Sequence, residues 1–163
     1  MSKQSIKLFV MDVDGTLTDG KIYIGNKGEI MKAFNSKDGY GIKDLLPRIN
    51  GGVTPIVITG RTSKIVEFRC QELAIKYLYQ GEKDKTSKLL NILSELELNY
   101  NNVLYIGDDD NDLEVMRSIK YGGGLIGAPN DASNAVKMIS DYICSLNGGN
   151  GAVRELIDWL AKY

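Results

Sequence analysis

Short apolar runs alternate with stretches of helical period along the whole chain, and few folds accommodate that rhythm. Ile6-Lys7-Leu8-Phe9-Val10-Met11 is nearly all apolar, the pattern of a strand whose two faces are both covered by helices. Similar runs occupy residues 54–59, 77–79 and 103–106, with weaker ones at 125–126 and 142–144. Between them the helical period recurs at 41–49, 63–74, 85–96, 112–119, 132–139 and 152–161. Such alternation specifies an α/β fold in three layers, a mostly parallel sheet between helices. At about 100–200 residues per domain, 163 residues make one domain, 1–163.

One segment breaks the rhythm. Lys21-Ile22-Tyr23-Ile24 and the stretch from Glu29 to Phe34 flank Gly25-Asn26-Lys27-Gly28, the composition of a β-hairpin inserted after the first strand, at about residues 21–34. It carries Ile22, Tyr23, Ile24, Ile30, Met31 and Phe34, more apolar surface than a free ribbon carries. Two readings stand: an interface, which we prefer, or a hairpin folded back on its own domain.

Composition narrows the chemistry. The chain has no His, 20 Lys+Arg against 21 Asp+Glu, and a formal net charge of −1. Without imidazole, Ser-His-Asp and Cys-His catalysis and His-ligated metals are excluded. The charge balance offers no basic footprint for nucleic acid. No apolar run reaches the roughly 18–20 residues of a membrane span, and the N-terminal residues lack the pattern of a signal peptide. Two cysteines, Cys70 and Cys144, make no disulfide framework; they read as buried small hydrophobes in a cytoplasmic protein.

In open α/β sheets ligands bind beyond the carboxyl ends of the strands, and four of these strands end in chemically useful groups. They are Asp12-Val13-Asp14-Gly15-Thr16, then Thr59-Gly60-Arg61, then Gly81 followed by Lys85, and Gly107-Asp108-Asp109-Asp110-Asn111-Asp112. Parallel strands would collect them at one edge. Clustered carboxylates raise one another's pKa unless a cation is present, and oxygen-only ligands favour Mg²⁺. An Asp in such a cluster can attack phosphorus and divide one hard step into two, with catalysis resting on positioning and charge neutralisation.

Those four segments resemble, in order, the four motifs of the haloacid dehalogenase (HAD) superfamily of phosphatases. Further segments, Thr18-Asp19-Gly20, Lys32-Ala33-Phe34-Asn35, Lys37-Asp38-Gly39-Tyr40-Gly41-Ile42, Leu78-Tyr79-Gln80-Gly81 and Gly151-Ala152-Val153-Arg154-Glu155, are similar to the 3-deoxy-manno-octulosonate 8-phosphate (KDO-8-phosphate) phosphatases. They are similar too to the HAD-like domain of bacterial acylneuraminate cytidylyltransferases. The resemblance implies a Rossmann-like HAD domain and roles for individual residues. Asp12 would be the nucleophile and Asp14 the acid–base. Asp12, the Asp14 main-chain carbonyl and Asp108 would hold Mg²⁺, with Asp112 favoured over Asp109 beside them. Thr59 and Gly60 would bind the transferring phosphoryl and Lys85 would pair with the nucleophile and the phosphate, while Arg61 and Arg69 are available for a substrate carboxylate, a role for which the resemblance favours Arg69.

The same resemblance bears on the substrate. From Asp14 to Thr59 the chain is used by the hairpin and one helix, and from Thr59 to Lys85 by a helix and a short strand, so no cap domain fits. Similar capless sugar-phosphate phosphatases are tetramers whose neighbours help to cover each site. The expected substrate is a small acidic sugar phosphate, KDO-8-phosphate or a nonulosonate 9-phosphate such as an N-acylneuraminate 9-phosphate. The sequence ends at Tyr163 without the tail that many KDO-8-phosphate phosphatases carry, so specificity or product release is expected to differ.

Other readings carry less. Asp12 and Asp14 alone read as a turn. A calcium loop on Asp108, Asp110 and Asp112 would need Gly and Glu where Leu113 and Ile119 stand. Gly122-x-Gly124-x-x-Gly127 follows a helix and enters a strand, so it is no dinucleotide fingerprint. A lone Lys85 is ordinarily a solvated Lys, and Arg61 and Arg69 are ordinarily surface charge. A phospho-receiver would carry its acceptor Asp where Thr59 stands. A non-catalytic oligomerisation module serving a cytidylyltransferase has no physical need of Asp12, Asp14, Lys85 and Asp108 together.

Overall fold

In the computed structural model, which describes residues 6–162, the apolar runs become the strands of one sheet. They are β1 (Leu8–Met11), β4 (Thr54–Ile58), β5 (Tyr77–Tyr79), β6 (Val103–Ile106), β7 (Leu125–Ala128) and β8 (Tyr142–Ile143). The spatial order is β5-β4-β1-β6-β7-β8 and every neighbouring pair is parallel. All four residues of β1 are buried. Alternation along it sends Phe9 and Met11 into one core and Leu8 and Val10 into the other.

Helices complete the layers. The Phe9 side is covered by α1 (Ser36–Tyr40) with the turns that extend it, by α2 (Lys64–Glu72) and by α6 (Ala152–Lys162), through Ile42, Leu46, Val66, Leu73, Val153 and Leu156. The Leu8 side is covered by α3 (Lys85–Glu95), α4 (Leu113–Tyr121) and α5 (Asn134–Ile139), through Leu89, Ile92, Val115, Met116, Ile119 and Val136. The expected three-layer α/β architecture holds, with no cap domain between the motifs. No helix among the described residues is long and apolar enough to cross a membrane. Cys70 and Cys144 are free and buried.

The helix expected at 41–49 begins earlier and is irregular. Asn35 caps α1, its side chain accepting from the Lys37 and Asp38 N–H groups. The chain then widens into a π-turn over Gly41–Leu45, where the Leu46 N–H reaches the Gly41 carbonyl. It tightens into a 3₁₀ turn at Leu46–Arg48, because Pro47 has no N–H to continue a regular ladder.

The inserted hairpin is present as β2 (Tyr23–Gly25) and β3 (Gly28–Met31), an antiparallel pair joined by Asn26 and Lys27. Gly28, at φ +106°, makes the return that a side chain would strain. Ile24, Ile30 and Met31 are 68%, 62% and 47% exposed, so these three do not fold onto their own domain, whereas Tyr23 is half-buried and Phe34, at the base, packs on the core.

Candidate active site

After β1 the chain winds outward to β4 and β5, then returns to the other side of β1 to lay down β6, β7 and β8. The reversal opens a crevice beyond the carboxyl ends of β1 and β6, and Asp12 enters it as the first residue past β1, its N–H bonded to the Ile106 carbonyl at 3.1 Å. The next residues form a tight loop in which the Val13 carbonyl accepts from the Thr16, Leu17 and Thr18 N–H groups. Gly15 lies at φ +93°, and a Cβ there would stand 2.0 Å from Asp108 Oδ2. Only glycine lets this loop approach the carboxylate that closely. Gly107 plays the same part opposite, since a Cβ on it would meet Asp112 Oδ2 at 2.4 Å.

Lys85, at the start of α3, lies buried between two of these carboxylates, with Nζ 2.7 Å from Asp12 Oδ1 and 2.7 Å from Asp112 Oδ1. Asp112 also accepts from the Tyr105 hydroxyl at 2.7 Å and the Asp108 N–H at 3.2 Å, while Asp108 Oδ1 accepts from Thr16 Oγ1 at 3.3 Å. Carboxylate oxygens of Asp12, Asp108 and Asp112 lie within 4.8 Å of one another. One ammonium cannot balance three such groups. Burial, then the charge of Asp112, pushes the Asp12 carboxyl up to about 6 in spite of Lys85. Burial, with Asp12 and Asp112, pushes Asp108 up to about 7. Burial works to lower the Lys85 ammonium, but Asp12 and Asp112 outweigh it and hold the group above its ordinary range. Two carboxyls strained toward the neutral form beside an oxygen-only donor set are what a hard divalent cation relieves, and the residues fit Mg²⁺.

Asp14 turns away from that cluster. Its carboxylate pairs with Lys32 at the foot of the hairpin, and Arg61 Nε stands 3.8 Å from its other oxygen. Lys32 also binds Glu29 at 2.9 Å, and Glu29 accepts from the Ser63 hydroxyl. Burial opposes ionisation of both Glu29 and Lys32, yet the Ser63 and Lys32 bonds hold Glu29 below its usual range, and the Asp14 and Glu29 bonds hold Lys32 above its own. Thr59 is buried just past β4, tied through its N–H to the Tyr79 carbonyl at 2.9 Å and through its own carbonyl to the Glu82 N–H at 3.0 Å. Gly60 and Arg61 follow it to the surface.

Most of the residues singled out in the sequence therefore converge, and two do not. Asp109 is exposed and its carboxylate is used on the Asp110 N–H, leaving the place beside the cluster to Asp112. Arg69, on α2, pairs with Glu72 at 2.7 Å, reaches the Asn35 carbonyl at 3.4 Å and lies over the Phe34 ring. Within the chain it belongs to the hairpin's base, because a position two turns into α2 is carried away from the strand ends. Three participants received no role from the sequence, Lys32, Glu29 and Tyr105, and Thr16 entered it only as the last residue of the segment that begins at Asp12. Tyr105 reads as strand core, and Lys32 and Glu29 read as the polar side of a ribbon; an acid–base pair at a hairpin's foot was the available signal.

Comparison with known proteins agrees with this geometry. The family model of haloacid dehalogenase-like hydrolases matches residues 62–156. The chain is 43% identical over 157 residues to the 3-deoxy-D-manno-octulosonate 8-phosphate phosphatase of Escherichia coli K12, covering 96% of this chain and 80% of that protein. The structure of the corresponding phosphatase from Moraxella catarrhalis, in complex with magnesium ion, phosphate ion and KDO, superposes with a TM-score of 0.89 at 38% identity, over 98% of this chain and 87% of that one. The cobalt-bound phosphatase from Haemophilus influenzae gives 0.88 at 33% identity, over 98% and 89%. With a carboxylate cluster, its lysine and a Mg²⁺-suited donor set at the switch point of a capless parallel sheet, the chain belongs to the haloacid dehalogenase-like hydrolases and is a phosphatase of that family.

Proposed function

We propose that the chain hydrolyses KDO-8-phosphate through an aspartyl phosphate on Asp12. The observation that carries the reading is the buried Lys85 bridging Asp12 and Asp112 at 2.7 Å each, beside Asp108 and Asp14; the similarity to KDO-8-phosphate phosphatases over nearly the whole chain supports the choice of sugar. Asp12, the Asp14 main-chain carbonyl and Asp108 would hold Mg²⁺, with Asp112 in reach. When bound, Mg²⁺ neutralises charge on the nucleophile and the phosphoryl oxygens.

The chain's own residues do the rest. A carboxylate oxygen of Asp12 forms a bond to phosphorus as the bond from phosphorus to the sugar oxygen breaks, and Asp14 gives its proton to the leaving oxygen. Asp14 then takes a proton from water, whose oxygen attacks the aspartyl phosphate and frees Asp12 with inorganic phosphate. Lys85 keeps one Asp12 oxygen fixed and pairs with the charge that builds on the phosphoryl group. The Thr59 hydroxyl and the Gly60 N–H would donate to the phosphoryl oxygens. Arg61, half-exposed at the mouth, is the cation available to the substrate's carboxylate.

The exposed Ile24, Ile30 and Met31 support assembly through the hairpins, as a homotetramer whose neighbours close the capless sites. Comparing kcat/KM for phosphate release in Mg²⁺ from KDO-8-phosphate and from nonulosonate 9-phosphates tests the substrate. KDO-8-phosphate is expected to lead by an order of magnitude or more. Preference for a nine-carbon sugar would reassign the substrate, and tetramers without turnover on any of them would favour a non-catalytic assembly module.

A further inference from the structure

The hairpin has an inverted polarity. The apolar Ile24, Ile30 and Met31 face outward, while Lys32, next along the chain, has a side chain only 1% exposed. Placing an ammonium inside and isoleucines outside is unfavourable for a surface ribbon, so the buried lysine answers to something other than the hairpin's own stability. Its partners are Asp14 on one side and Glu29, at 2.9 Å, on the other. Glu29 is in turn anchored by the Ser63 hydroxyl at the start of α2 and lies 3.9 Å from Arg61 Nη2. The carboxylate of Asp14 is thereby fixed to three separate parts of the fold: the hairpin, the loop after β4 and the head of α2.

We propose that Lys32 is a positioning residue for Asp14, and that the Glu29–Lys32 pair makes the hairpin a working part of the reaction site. The inference rests on the reading of Asp14 as the acid–base. That role uses one carboxylate twice, on the leaving oxygen and then on water, and each transfer needs heavy atoms at about 2.6–3.2 Å. A carboxylate on a loop with no restraint on its oxygens would not return to the same place for both. Lys32 supplies the restraint and Glu29 restrains Lys32.

A double-mutant cycle on the 163-residue chain decides it, with kcat, KM, melting temperature and the Mg²⁺-induced rise in melting temperature measured for Lys32→Met, Lys32→Arg, Glu29→Gln, Asp14→Asn and the Lys32→Met/Asp14→Asn pair. Lys32→Met is expected to lose about 100-fold in kcat, with little change in KM and an unchanged Mg²⁺ response. Lys32→Arg is expected to regain most of the rate and Glu29→Gln to lose several-fold. The double variant is expected to be no slower than Asp14→Asn alone, because Lys32 acts through Asp14. Losses that multiply in the double variant, or a Lys32→Met enzyme at the parental rate, overturn the inference while leaving the acid–base reading intact. A lost Mg²⁺ response would move Lys32's role to the metal site and overturn it too. Full turnover by Asp14→Asn would overturn the acid–base reading and the inference with it. Should Lys32→Met fail to fold, Lys32→Arg and Glu29→Gln carry the same comparison.

Discussion

In the unit of Asp12, Lys85 and Asp112 the ammonium offsets two buried carboxylates that repel one another. Removing the cation leaves two buried carboxylates unpaired, a change that typically costs about 3–5 kcal/mol. Lys85→Met is accordingly expected to lower stability by that order in metal-free buffer, to regain part of it on addition of Mg²⁺, and to lose turnover; denaturant melts with and without the metal check all three. Gly15 is constrained in a different way. Gly15→Ala combines an unfavourable φ with a methyl group driven into Asp108, so Mg²⁺ affinity, read from its thermal stabilisation, is expected to fall at least tenfold. The aspartates of this unit were legible in the sequence as residues at strand ends, and Lys85 by family motif. Tyr105 was not: a tyrosine in VLYI is indistinguishable from core until its hydroxyl is seen 2.7 Å from Asp112.

At the scale of elements, the register between α1 and α6 depends on Asp38. It is buried, its Oδ1 accepts the Arg154 N–H at 2.8 Å in the first turn of α6, and its Oδ2 has no hydrogen-bond partner. Burial, opposed by bonds from the Arg154 and Gly151 N–H groups, pushes the carboxyl up to about 6. Asp38→Ala is expected to cost about 1–3 kcal/mol by orphaning a buried donor, whereas Asp38→Asn keeps an acceptor and is expected to cost less; chemical denaturation of the two variants checks the order. The sequence concealed this element because Gly39 and Gly41 sit where helix formers are expected, so periodicity placed the start at residue 41. The Asn35 cap overrides them. The hairpin was legible from Gly25-Asn26-Lys27-Gly28, yet the side facing the site was not, because alternation in a ribbon reports two faces without saying which is inward.

Across the whole molecule, the carboxyls of Asp12 and Asp38 near 6 and Asp108 near 7 stand above the ordinary value of about 4. Between pH 4 and 7 the metal-free folded chain therefore binds more protons than the unfolded chain, and stability falls as pH rises through that window. Glu29 and Glu155, held low in the fold, act in the opposite sense and withdraw stability as pH drops below about 4.5. The metal-free protein is expected to melt highest between about pH 4 and 4.5, and Mg²⁺ to raise the melting temperature most above pH 7, where its ligands are ionised; scanning calorimetry against pH checks both. At this scale the sequence was most informative. Six apolar runs in one parallel sheet send their carboxyl ends to a common edge, which is why Asp12 and Asp108 could be paired across nearly a hundred residues without coordinates; the strand order that sets them on neighbouring strands is seen only in the structure. The covalent step on Asp12 is the decisive one. Acid quenching during turnover of KDO-8-phosphate in Mg²⁺, followed by peptide mass mapping, should find one phosphoryl group on Asp12 and none in Asp12→Asn, which should also release no phosphate. Steady phosphate release with Asp12 unmodified, or from the Asp12→Asn variant, would contradict it.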